Sequence, residues 1–154
     1  MSIIKVADLG ISSGVNTPAF SAQPSSDQTI SINTWTKVSF GTENYDTDSA
    51  FSSDKFTVPS GKGGKYCFIA RITMGSNDNK TYSIKLYKNG SNRNETFYRQ
   101  VTGGGSSVAS TATVHILDLD ATDYIEVYVN HSSGSSKDIE SVNTIFQGYK
   151  IIGA

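Results

Sequence analysis

Several groups of residues in this chain have the types and spacing to do chemistry. The run Gly61–Lys65, GKGGK, offers glycine amides and two lysines to an anion. A phosphate loop needs Gly-x-x-x-x-Gly-Lys-Ser/Thr opening a helix. Here a strand-like run follows, so a turn is the stronger reading. His115 and His131 are the only histidines and Cys67 the only cysteine. They have no ligand spacing, whereas a zinc or copper site needs three or four convergent ligands. Nothing in the sequence orients a Cys–His nucleophilic pair, and Cys67 reads as a small buried hydrophobe. Asp46 with Asp48, and Asp118 and Asp120 with Asp123, place hard oxygen ligands on connections where calcium could bind. Neither cluster has a twelve-residue loop closed by a distal glutamate, and aspartate is a natural turn residue. The expectation is no cofactor, with calcium as the alternative at these clusters. Glycoside hydrolysis would need two acids facing across a cleft, and no acid is marked for that work. The chain is therefore expected not to be an enzyme.

What remains is binding chemistry. The loops Gly75–Lys80, Ser91–Glu95, Gly103–Ser107 and Ser132–Lys137 are rich in Ser, Asn and Gly. Loops on a rigid scaffold are cheap to vary and often carry contacts. Candidate contacts are Asn77, Asn79, Asn92, Arg93, Asn94 and Ser133, whose hydrogen-bonding groups suit sugar hydroxyls. The competing reading is that these loops are solvated connections. Asn-x-Ser/Thr triplets at Asn79, Asn89, Asn94 and Asn130 also read as turns.

The scaffold must be built from strands. Tyr66, Phe68, Ala70, Ile72 and Met74 share one parity, and Cys67, Ile69, Arg71 and Thr73 the other. That alternation marks a strand with a buried face. Pro59 cannot donate to a ladder and so ends the run Phe56–Val58, while Gly61, Gly63 and Gly64 permit the reversal between the two. Further strands are expected at Pro18–Gln23, Trp35–Phe40, Tyr82–Tyr87, Thr96–Val101, Val108–Leu119, Tyr124–Asn130 and Thr144–Ile152. Asn44–Ser53 reads as a polar connection anchored by Tyr45 and Phe51. Asn89-Gly90 suits a type I′ hairpin. No strand–helix alternation exists, so the expected fold is all-β: an antiparallel jelly-roll sandwich of eight to ten strands. The apolar last strand is expected to be central.

The chain's 154 residues fit one domain, which we divide into an arm, 1–16, and a sandwich, 17–154. In the arm Ile3, Ile4, Val6, Leu9 and Ile11 are apolar and must pack on something, such as another protein. The net charge of −1 argues against nucleic-acid binding, which needs a basic face. No apolar run approaches the roughly 20 residues of a membrane span, and MSIIKVADLG has no signal-peptide pattern.

Ala19-Phe20-Ser21-Ala22, Asn44-Tyr45-Asp46, Phe56-Thr57-Val58-Pro59 running into Gly64-Lys65-Tyr66-Cys67-Phe68, Leu86-Tyr87-Lys88-Asn89-Gly90, Asp123-Tyr124-Ile125-Glu126-Val127 and Phe146-Gln147-Gly148-Tyr149 occur in that order. Together they resemble the complement-1q and tumour-necrosis-factor superfamily of jelly rolls, from about Thr17 to the C-terminus. Thr122 stands where that family has glycine, and no collagen repeat precedes the domain. The NTPAF segment and the YKIIGA ending are similar to small complement-1q-like structural proteins of tailed bacteriophages. That resemblance implies a homotrimer on a virion head or tail fibre, made in the host cytoplasm and held to other virion proteins, which we assign to the arm. Independent support for a trimer is the number of aromatics, eight Tyr and seven Phe, which exceeds what one such core readily encloses. The functions expected are a structural or decoration protein, an adhesin tip meeting a host glycan or protein, or a cellular trimeric ligand.

Overall fold

The computed structural model describes residues 16–75, 79–101 and 108–151. The arm residues Ile3, Ile4, Val6, Leu9 and Ile11, the candidate contact Asn77 and the loop Gly103–Ser107 lie outside them. Fourteen strands follow in order: β1 Ala19–Gln23, β2 Gln28–Ile30, β3 Thr36–Lys37, β4 Thr42–Asp46, β5 Phe51–Ser52, β6 Lys55–Thr57 and β7 Gly64–Gly75; then β8 Thr81–Lys88, β9 Ser91–Asn92, β10 Tyr98–Val101, β11 Val108–Leu119, β12 Tyr124–His131, β13 Lys137–Ile139 and β14 Ile145–Lys150. All pairings are antiparallel.

A front sheet runs β11-β7-β14-β1-β4, with β13 and β2 continuing past the end of β14. A back sheet runs β10-β8-β12-β6-β5, with β3 also on β12 and β9 on β8. This is the jelly-roll sandwich expected. The last strand is central, between β7 and β1. The ends of the domain meet there, Lys150 N–H donating to the Pro18 carbonyl at 2.9 Å and Ile151 N–H to that of Lys65 at 2.8 Å.

The two sheets close on an aromatic core. Phe20 stacks on Phe51 and Phe56, each at 5.0 Å between centroids, and meets Phe146 edge-on at 4.9 Å. Phe40 and Phe68 complete the cluster, and Tyr66, Ile72 and Met74 of β7 are fully buried on the expected parity. Six of the seven Phe, with Tyr66 and Tyr82, thus fit inside a single sandwich. The aromatic count is therefore a weaker sign of a trimer than the sequence implied. Gly148 makes the packing possible: a Cβ there would stand 2.7 Å from the Phe68 ring and 2.9 Å from the Cys67 carbonyl oxygen.

Departures from the expected strands have local causes. Only Thr36–Lys37 of Trp35–Phe40 is strand: Val38 N–H still donates to the Val127 carbonyl at 2.9 Å, but side chains take the backbone on either side of it. Gln28 donates to the Lys37 carbonyl and accepts from Ser39 N–H, both at 2.9 Å, and Asp54 accepts from Phe40 N–H at 2.6 Å. Thr96 closes a 3-10 turn, Asn94–Thr96, rather than opening a strand. Its buried hydroxyl accepts from Leu86 N–H at 2.9 Å and donates to the Arg93 carbonyl at 2.7 Å. Asn44–Ser53 contains most of β4 and all of β5; Phe51 anchors it, but Tyr45 points to solvent. The short strands β2 and β13 pair with one another in stretches where no strand was expected. The turn at Asn89-Gly90 has the expected form, both residues at positive φ (53° and 72°) between the paired Lys88 and Ser91.

Candidate functional site

The residues with reactive chemistry are occupied by the fold. Gly61 turns at φ +71°, Lys62 N–H donates to the Pro59 carbonyl, and β7 follows directly. Asp46 accepts from Phe51 N–H at 2.7 Å and Asp48 N–H at 3.3 Å, capping a turn. Asp123 accepts from Asp120 N–H (2.8 Å), Asn89 Nδ2 (2.6 Å) and Lys88 Nζ (2.6 Å). Burial opposes its charge, but these donors outweigh that and hold the carboxyl below its usual range. Among the described residues no three His, Cys, Asp or Glu converge as metal ligands.

Cys67 and His115 belong to opposite faces of the front sheet. His115 is opposite Phe68, whose ring is in the core, while Cys67 is opposite Ile116 on the outer face. His131, which falls between the expected strand Tyr124–Asn130 and the polar loop from Ser132 and so reads as part of a bend, instead ends β12, fully buried and stacked on Tyr82. Its Nδ1 lies 2.5 Å from Ser133 Oγ and its Nε2 3.4 Å from the Ile30 carbonyl. Burial, aided by Lys137, pushes its pKa down against the Ile30 carbonyl. A neutral ring that donates through Nε2 fits the Ile30 contact, and the single Ser133 hydroxyl proton is shared between Nδ1 and the Ser135 carbonyl at 3.1 Å. Neither residue is open to a substrate, so this His–Ser pair fastens β12 to β2.

The candidate loop contacts separate. Ser133 is fully buried against His131, which corrects its placement as a surface contact. Asn79 lies exposed before β8, while Asn92, Arg93 and Asn94 lie beside and beyond that strand's far end. Asn92 is opposite Tyr87 and Asn94 reaches Lys85, so a stretch of β8 from Thr81 to about Lys85 stands between the two places. The structure therefore brings together Asn92, Arg93 and Asn94 only.

Two surfaces that the sequence did not single out are better formed. On the outer face of the front sheet, two rows cross the strands in register: Ile116–Cys67–Tyr149–Ala19 and Val114–Ile69–Gln147–Ser21–Tyr45. Val114 and Ile116 are 59% and 61% exposed, and Tyr149 and Tyr45 are also open to solvent. Charged and polar side chains, Lys65, Asp118 and Arg71, flank these rows. On the outer face of the back sheet Tyr128 lies between Lys37 and Lys85, and Tyr87 between Glu126 and Asn92. Tyr87 and Tyr128 stack at 3.8 Å, and burial raises both phenol pKa values. Lys37 pairs with Glu126 at 2.8 Å.

A family model of the C1q domain matches residues 19–151, from the start of β1 to the residue after β14. The chain belongs to the C1q domain family. Solved structures with the same fold include the globular domain of zebrafish complement 1qA, at 16% identity and TM-score 0.60, covering 88% of this chain and 98% of that one. Murine APRIL aligns at 12% identity and TM-score 0.63, covering 86% and 98%. The Eiger TNF of S. frugiperda aligns at 14% and 0.58, covering 88% and 92%. No curated protein matches the sequence. The family model thus gives the C1q domain and the likenesses give the jelly-roll fold, which is the coarser part of what the sequence resembled. Among the described residues, the outer faces of the two sheets are the best-formed candidate surfaces of this C1q domain.

Proposed function

We propose that this C1q domain is a non-catalytic display module whose copies close into a ring of three through the outer face of the front sheet. Domains of the C1q and tumour-necrosis-factor type are typically trimeric recognition modules or ligands, and typically not enzymes. The observation that carries the reading is the apolar row set on Val114, Ile116 and Tyr149 with a polar border, the anatomy of an interface core and rim.

Sedimentation equilibrium tests the ring. Three chain masses are expected for the native protein and one for Ile116→Glu, which places a charge in the row. A native protein that stays monomeric at micromolar concentration removes the proposal. For the setting we infer a virion surface, on head or tail fibre, with the N-terminal arm holding other virion proteins. This rests on the similarity of NTPAF and YKIIGA to phage structural proteins; the geometry serves a cellular trimeric ligand equally. Gold-labelled antibody on purified particles decides between them, and saturable binding of the protein to host cells separates an adhesin from a purely structural part.

A further inference from the structure

The outer face of the back sheet holds a cation that its surroundings do not neutralise. Lys85 is only 7% exposed. Its ammonium lies 4.5 Å from the Trp35 ring centroid and 5.3 Å from that of Phe97, with the Asn94 side-chain oxygen at 3.4 Å. Among the described residues no carboxylate pairs with it. The acids nearest in sequence and register are taken: Glu126 by Lys37 and Glu95 by Arg93. A desolvated ammonium gains from ring faces, yet a buried charge ordinarily finds a counter-ion. Trp35 and Phe97 meet at a steep angle, 68°, around it. Phe97 is 44% exposed, so the outer wall of this corner is an accessible ring. Asn92, Arg93 and Asn94, the candidate contacts that stay together, lie along the same edge.

We propose that this corner binds a carboxylate-bearing sugar, a hexuronate unit of an acidic polysaccharide. Lys85, its ammonium already over the Trp35 ring, takes the carboxylate; the exposed Phe97 ring takes the C–H face of the pyranose, and Asn94 accepts from a hydroxyl. The choice of occupant follows from charge complementarity with Lys85 and from aromatic walls that a free inorganic anion would not use. The inference rests on the reading of the chain as a recognition module and names its ligand class.

Trp35 is the sole tryptophan, so its fluorescence reports this corner alone. The native protein is titrated with trigalacturonic acid, with its fully methyl-esterified form, and with hexaglutamate. A saturable change with trigalacturonic acid is expected, weakened about tenfold or more by esterification and in Lys85→Gln, as for loss of one charge-assisted hydrogen bond. Phe97→Ala, at an exposed position, is expected to weaken it as well and keeps the test open if the lysine variant misfolds. Equal binding of the methyl ester overturns the role of Lys85. Equal binding of hexaglutamate overturns the sugar in favour of an acidic peptide, and no saturable response at millimolar ligand overturns the site. Sedimentation of the same samples separates the two readings: a monomer that binds refutes the ring alone, and a ring that does not bind refutes the site alone.

Discussion

At the scale of the residue, position rather than type decides what this chain's functional groups do. Gly148 has no side chain because the Phe20 and Phe68 rings and the Cys67 carbonyl already fill the space. Gly148→Ala is expected to cost about 1–3 kcal/mol, the usual penalty for overpacking a well-filled core; urea denaturation measures it, and an unchanged midpoint would contradict the packing described. His131 gives a pH dependence. Its folded pKa lies below the ordinary 6.5, so the unfolded chain takes up a proton first as pH falls. Its contribution to stability is complete above pH 6.5 and declines below it, by at most about 1.4 kcal/mol per pH unit. Denaturation midpoints between pH 5 and 8 are expected to show this loss in the native protein and less of it in His131→Gln. Equal slopes in both would mean that the ring titrates alike folded and unfolded. The role of His131 was not legible beforehand: it opens the run His-Ser-Ser-Gly and reads as part of a bend until Ile30, a hundred residues away, is seen to accept from it.

At the scale of the element, two threonines stand in for missing ladder partners. Thr144, between β13 and β14, accepts from the buried Thr73 N–H at 3.0 Å where the two short strands leave β7 uncovered. Thr96 does the same for Leu86 at 2.9 Å. Thr144→Val keeps the shape and removes the acceptor, leaving a buried amide without a partner. A loss of about 1–3 kcal/mol is expected, read as faster amide exchange at Thr73 together with a lower denaturation midpoint; a protected Thr73 amide in the variant would refute the role. The long strands β7, β8, β11 and β12 were visible in the sequence because each alternates over enough residues to outvote chance. The strands β2 and β13, QTI and KDI, were not, since three residues carry no period and their pairing depends on partners more than a hundred positions apart.

At the scale of the whole molecule, the sequence showed that β7 and β8 carry large groups on both faces but not which groups would stand side by side. Val114 and Ile116 belong to a strand read simply as long. They become a surface only once β11 is laid beside β7 in register and Tyr149 arrives from β14. The same holds for Lys85, whose rings come from residues 35 and 97. Charging the two sheet faces separately tests their independence. Ile116→Glu is expected to dissociate the ring while leaving the Trp35 emission unaltered, whereas Lys85→Gln is expected to alter the emission while leaving the mass unaltered.

The bond from Lys150 to Pro18 also sets how the sandwich can be tethered. Because the first and last strands are register partners, the polypeptide enters and leaves at one pole. A load applied at Pro18 or Ile151 acts on that pole, and the turn after β12 lies at the other. In a ring whose three members point the same way, a stalk or anchor on one side would leave the other uncrowded. A permuted gene that links Ile151 to Pro18 through a few glycines and opens at the far pole should still yield the native sandwich.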